Sequence, residues 1–123
     1  MLIERLCCLL LGAAIVVRLF VTGMPAPFED TAAAALWDRL GHAGIYALAC
    51  ALFLIGTARR MPLAVAAAVA AVGALDEVQQ ALRPGGHADT LDFLADACGA
   101  FFAASLLSVK WRKDRPCAES LEQ

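Results

Sequence analysis

Four long apolar stretches, separated by short polar breaks, make up most of this chain. They run roughly from Leu6 to Thr22, Gly41 to Thr57, Met61 to Leu82 and Thr90 to Val109. Each approaches the ~20 residues, range about 17–25, that a helix needs to cross hydrocarbon. None has a polar face wide enough to sit comfortably in water, so a soluble core is the wrong picture. The third stretch is the instructive one. Its uninterrupted apolar part, Pro62 to Leu75, is too short to cross alone. It reaches spanning length only if "DEVQQAL" continues it, so either the bilayer thins locally or Asp76 and Glu77 lie in the outer part of a membrane helix.

The breaks between stretches are consistent with this reading. Pro25 and Pro27 end the first helix. In the long connection that follows, Thr31 is placed to cap a short helix carrying Trp37, a residue suited to the membrane interface. "ARRMP" reads as a tight turn and "RPGG" as a turn built on two glycines. The tail "KWRKDRPCAESLEQ" joins an interfacial Trp111 to basic anchors and ends in polar residues. The third stretch is rich in Ala with Gly73 near its outer end, and the fourth carries Gly99 and Ala103 at small-xxx-small spacing. Such faces let helix backbones approach closely in lipid. The expected architecture is all-α: a polytopic membrane protein whose residues 1–110 form a four-transmembrane-helix bundle, with a polar cytoplasmic tail at 111–123.

Composition agrees. The 123 residues are 61% hydrophobic with a mean hydropathy of +0.69, against roughly 45–50% apolar in soluble domains. Charge supplies the orientation. With both termini inside, Arg5, Arg59, Arg60, Lys110, Arg112, Lys113 and Arg115 face the cytoplasm, and Arg18, Arg39 and Arg83 lie toward the other side. The acids lean the opposite way, with Glu29, Asp30, Asp38, Asp76, Glu77, Asp89, Asp92 and Asp96 outside. The net charge of −2 hides this polarity and gives no reason to expect a nucleic-acid partner. A competing reading makes "MLIER" a signal n-region with cleavage after "VTG", which would discard Arg18. The five cysteines, Cys7, Cys8, Cys50, Cys98 and Cys117, show no CxxC spacing. They read as small hydrophobes, and no cofactor or metal centre is expected from spacing.

The polar residues carry the functional question. At 100° per residue, Asp38, Gly41, His42 and Tyr46 share a face if the helix runs unbroken through Gly41. Glu77 and Gln80 share a face with Gly73, and Asp92 and Asp96 share one with Gly99 and Ala103. Asp76 is expected off the Glu77 face, near the interface. Asp89 suits a helix N-terminus, where the macrodipole favours an anion. Ionisable groups facing lipid cost about 2.5–3.5 kcal/mol or more at the bilayer centre, so the three faces should turn toward one another. Arg18, Arg83 and His87 are the expected charge partners, along with His42 itself. Two readings stay open: a polar plug that locks the helices together, and an outward-facing acidic pocket formed by Asp38, His42, Tyr46, Glu77, Gln80, Asp92 and Asp96.

Two blocks then resemble the VanZ-like membrane family. "WDRLGHAGIYAL" is similar to its Asp-Lys-x-x-His-x-x-x-Tyr element, with Asp38, Arg39, His42 and Tyr46 on the matching positions. "DEVQQALRPGGHADTLDFLADACGA" is similar to Asp-Glu-x-x-Gln, a Pro-Gly-Arg turn, then Asp-x-x-x-Asn-x-x-Gly, with Glu77, Gln80, Asp92 and Gly99 matching. The resemblance covers roughly residues 36–104. It departs at Gly86, where the family has Arg, and at Asp96, where it has Asn. It implies a multi-pass protein of the bacterial cytoplasmic membrane linked to teicoplanin-type resistance. Membrane lipids, a cell-wall precursor or a lipoglycopeptide are the implied partners, and self-association is left open.

Three function classes follow. The first is a non-enzymatic binding or envelope-modulating protein with a pocket for a headgroup or peptide. The second is a small proton- or cation-coupled transporter, since intramembrane acids often mark such paths. The third is an enzyme on a lipid-linked substrate, in which His42 with several carboxylates binds a divalent metal or performs acid–base chemistry. Against catalysis, no Ser or Cys nucleophile stands near these faces and no HExxH occurs.

Overall fold

The computed structural model describes residues 1–22, 31–58, 60–84 and 88–113. These residues form four helices: α1 (Leu2–Thr22), α2 (Ala32–Gly56), α3 (Pro62–Ala81) and α4 (Thr90–Lys113). Pro25, Pro27, Arg59, Gly85, Gly86, His87 and the tail beyond Lys113 fall outside the described residues.

Three helix starts have clear local causes. Thr31 caps α2 from an extended backbone, its hydroxyl accepting the Ala34 N–H at 3.1 Å. The helix that it caps is not a short one. It runs on through Trp37 and Gly41 to Gly56 without a break, so the expected separate interfacial helix is the first part of α2. The run Ala32–Ala35 is strongly helix-forming, no proline intervenes, and packing makes up for the two internal glycines, Gly41 and Gly44. Pro62 opens α3 at a position where its missing N–H costs nothing. Asp89 starts α4, its Oδ1 accepting from Leu91 N at 2.8 Å and its carbonyl from Asp92 and Phe93.

α2 and α4 make the most extensive contact, α3 packs on α4, and α1 packs on α2. Among the described residues α1 makes no contact with α4. Small residues set these distances. A Cβ on Gly99 would run into the Ala43 carbonyl oxygen, so α2 and α4 touch backbone to backbone there. On Gly73 it would lie 2.8 Å from Asp96 Oδ2, and on Gly56 2.5 Å from Leu9. Ala103 is buried in the same core, with Tyr46, Cys50, Leu54, Ala66, Val69, Ala100 and Ala104.

Large apolar side chains lie mostly on the outside. Leu10, Leu11, Val17, Leu63, Leu75, Val78, Phe102 and Leu106 are all exposed, whereas His42, Asp76, Glu77 and Asp96 are buried. Water would make this surface an aggregation hazard, but lipid tails solvate it. α2, α3 and α4 are each long and apolar enough to cross a membrane. The molecule is therefore an all-helical, membrane-embedded protein.

Candidate functional site

One end of the bundle gathers the polar residues of three helices. α2 supplies Asp38, Arg39, His42 and Tyr46. α3 supplies Asp76, Glu77 and Gln80, and α4 supplies Asp92 and Asp96 behind the Asp89 cap. At its centre His42 Nδ1 and Asp96 Oδ1 stand 2.9 Å apart, with side chains 3% and 0% exposed. This contact joins α2 to α4 immediately beside the close approach at Gly99. Gly73 leaves the space on α3 that Asp96 fills.

Glu77 connects α3 to the start of α4: its Oε2 accepts the Asp89 N–H at 2.7 Å. Toward the outer rim, Arg39 faces Asp89 at 3.7 Å and Asp92 at 3.8 Å. These separations are longer than hydrogen bonds, so the pairs act mainly as charge balance. Asp38 and Asp92 are half-buried beside His42, and the three offer ligand atoms within 4.8 Å of one another. His42, Glu77 and Asp96 meet the same limit, and all three are buried.

Among the described residues, several oxygens in this buried region make no hydrogen bond of ordinary length. They are Tyr46 Oη, Asp76 Oδ1, Glu77 Oε1 and Asp96 Oδ2. Tyr46 sits one turn along α2 from His42, close to Asp96, Asp76 and Glu77. A buried polar atom without a hydrogen bond typically costs about 1–3 kcal/mol, so four of them together are unusual for a purely structural plug.

Asp76 is placed differently from expectation. Instead of reaching the interface, it is fully buried, and its Oδ2 accepts from Gln80 Nε2 at 3.4 Å. The spacing contains the reason. Gly73, Asp76, Glu77 and Gln80 follow i, i+3, i+4, i+7, which is one helical face, so the face that holds Glu77 also holds Asp76. Gln80 thus enters the cluster through Asp76. Arg39 is the cation found beside the rim acids. Arg83 reaches α1, where its Nη2 donates to the Phe20 carbonyl at 3.2 Å, next to Gln79 Nε2 at 2.9 Å on the same oxygen. Arg18 is exposed on α1, and His87 lies outside the described residues.

A separate cavity of about 380 Å³ opens between α1, α2 and α3, lined by Val16, Val17, Phe53, Val65, Val69 and Val72 among others. Its walls are almost wholly apolar, and it shares no residue with the polar cluster. Compared with protein-family models, curated proteins and solved structures, the chain matches none of them.

Proposed function

We propose that this chain is a four-span, N-in/C-in protein of the bacterial cytoplasmic membrane that binds a ligand at the outer end of its bundle without transforming it. One observation carries the reading: residues from three helices, far apart in sequence, converge on a buried, oxygen-rich cluster with unpartnered acceptors. The residues behind the VanZ-like resemblance, Asp38, His42, Tyr46, Glu77, Gln80 and Asp92, are the ones that meet there. The chemistry of the cluster narrows the ligand. Carboxylates dominate it, so it favours a group bearing positive charge, such as an amine of a lipid-linked precursor or lipoglycopeptide, over a bare phosphate. A binding role linked to teicoplanin-type resistance fits that preference.

The transporter reading is less well supported. Beyond the cluster the core is apolar, with Cys50, Leu54, Ala66 and Ala104 buried in it, so among the described residues no polar path continues along the bundle. An enzymatic reading lacks a serine or cysteine nucleophile at the cluster among the described residues.

The test is resistance in a susceptible host expressing the chain. Wild type raises the teicoplanin concentration needed to stop growth. Asp38→Ala and Asp92→Ala abolish that rise while reaching the membrane in normal amount. Unchanged resistance in both variants would sink the reading.

A further inference from the structure

We propose that His42, Glu77 and Asp96 hold one divalent transition-metal ion of the zinc class between α2, α3 and α4. The proposal rests on reading this cluster as a ligand site and names the cation that its deepest part takes.

The donor set is the first argument. One imidazole and two carboxylates suit zinc and its neighbours, which accept mixed nitrogen and oxygen ligands, better than they suit magnesium or calcium, which favour oxygen alone. The three ligand atoms lie within 4.8 Å of one another. Ligands on a tetrahedral zinc with 2.0–2.1 Å bonds stand roughly 3.3 Å apart, so the trio must draw in by about 1.5 Å at most. The His42–Asp96 pair, at 2.9 Å, already lies inside that distance.

The second argument comes from groups outside the trio. The hydroxyl of Tyr46 and Oδ1 of Asp76 belong to residues 1% and 0% exposed, and neither atom makes a hydrogen bond of ordinary length among the described residues. Both residues border the trio: Tyr46 lies one turn from His42 on α2, close to Asp96 and Glu77, and Asp76 shares the face of α3 that carries Glu77. Oxygens so placed serve as further ligands or orient a metal-bound water. Glu77 Oε1 and Asp96 Oδ2 are likewise unpartnered.

Charge is the third argument. Ionised, two buried carboxylates beside one imidazole would carry a net negative charge in a low-dielectric bundle, where each uncompensated ion costs several kcal/mol. A divalent cation neutralises both. The outer trio of Asp38, His42 and Asp92 shares the imidazole but is half-exposed, and its Asp92 already faces Arg39. The buried trio is therefore the better site.

The experiment uses the full chain in detergent micelles, stripped with a chelator and titrated with zinc against a fluorescent competitor. Wild type takes up one zinc per chain. Glu77→Gln and Asp96→Asn each weaken zinc at least tenfold, as the loss of a ligand should, while Glu4→Gln at the opposite end leaves affinity unchanged. Circular dichroism checks that the variants stay helical, and the wild-type stoichiometry needs no variant at all. No stoichiometric uptake by wild type overturns the proposal, as does uptake indifferent to Glu77→Gln and Asp96→Asn. Weakening by Asp38→Asn with Glu77→Gln silent would put the ion in the outer trio and also overturn it. The titration reads metal alone and the resistance assay reads the ligand through Asp38 and Asp92, so either reading can fail without the other.

Discussion

His42 and Asp96 join α2 to α4 through two side chains that solvent barely reaches. Cutting Asp96 back to Ala leaves the imidazole buried without its carboxylate and empties the space beside Gly73. The expected cost is about 1–3 kcal/mol for the orphaned group, with a cavity term added. Asp96→Asn keeps the shape and one hydrogen-bonding atom, so it should cost less than half as much. Denaturant unfolding of purified protein in micelles measures both, and equal losses would mean that the contact contributes nothing specific. A second residue-scale prediction concerns Ala58, which follows α2 with φ +57°. A side chain in that left-handed region costs roughly 1–2 kcal/mol, and glycine is the usual residue just past a helix end. Ala58→Gly should therefore raise the unfolding midpoint, and a fall would mean that the Ala58 methyl makes a contact worth more than the strain. Much of this end was legible in the sequence. Asp38, His42 and Tyr46 share a face by spacing alone, and Asp92 with Asp96 likewise. The burial of Asp76 is harder to read, because a position beside Glu77 does not itself show that one helical face is wide enough for both neighbours. Arg39 was overlooked as the rim cation because spacing along one helix says nothing about which acids stand across from it.

At the scale of elements, small residues decide how closely the helices pack. Lipid gives no hydrophobic force between helices, so α2 and α4 are held by close van der Waals contact and by the polar cluster. Gly99 and Gly44 provide a paired test on those two helices. A methyl at Gly99 would run into the Ala43 backbone, which cannot rotate away. Gly99→Ala should push the helices apart and cost about 1–3 kcal/mol. A methyl at Gly44 meets nothing within 4 Å, so Gly44→Ala should gain up to about 1 kcal/mol from helix propensity. Thermal unfolding in the same detergent compares them, and a stabilising Gly99→Ala would mean that the crossing is looser than drawn. The existence of four helices and the starts of α3 and α4 could be read from hydropathy, but the start of α2 could not. α2 begins at Ala32 because an Ala-rich stretch with a Thr cap extends the span outward, and hydropathy alone does not register a cap. The metal trio was equally hidden. Its members come one each from α2, α3 and α4, so no ligand spacing exists in the sequence to be recognised.

For the whole molecule the sharpest question is whether α1 stays. A cleaved signal would need few contacts with the mature protein, yet α1 fits its neighbours along its length. Leu9 fills the space over Gly56, and the Phe53 ring lies against Gly12. At the other end, Gln79 and Arg83 of the α3 end both donate to the Phe20 carbonyl, capping a helix terminus that would otherwise face the membrane boundary unsatisfied. Losing α1 would uncover Gly56 and Phe53 and strand both donors. The purified chain should therefore have the 12.9 kDa mass of all 123 residues, and a product lacking the first span would end the four-span reading. Orientation then follows from the basic residues, which favour the cytoplasm when they flank short loops. Alkaline phosphatase fused after Pro84, in the connection beside the acidic cluster, should be active, and fused after Gln123 it should be inactive. The reverse pattern would turn the cluster toward the cytoplasm, out of reach of any ligand arriving from the cell wall, and the proposed binding role would fall with it.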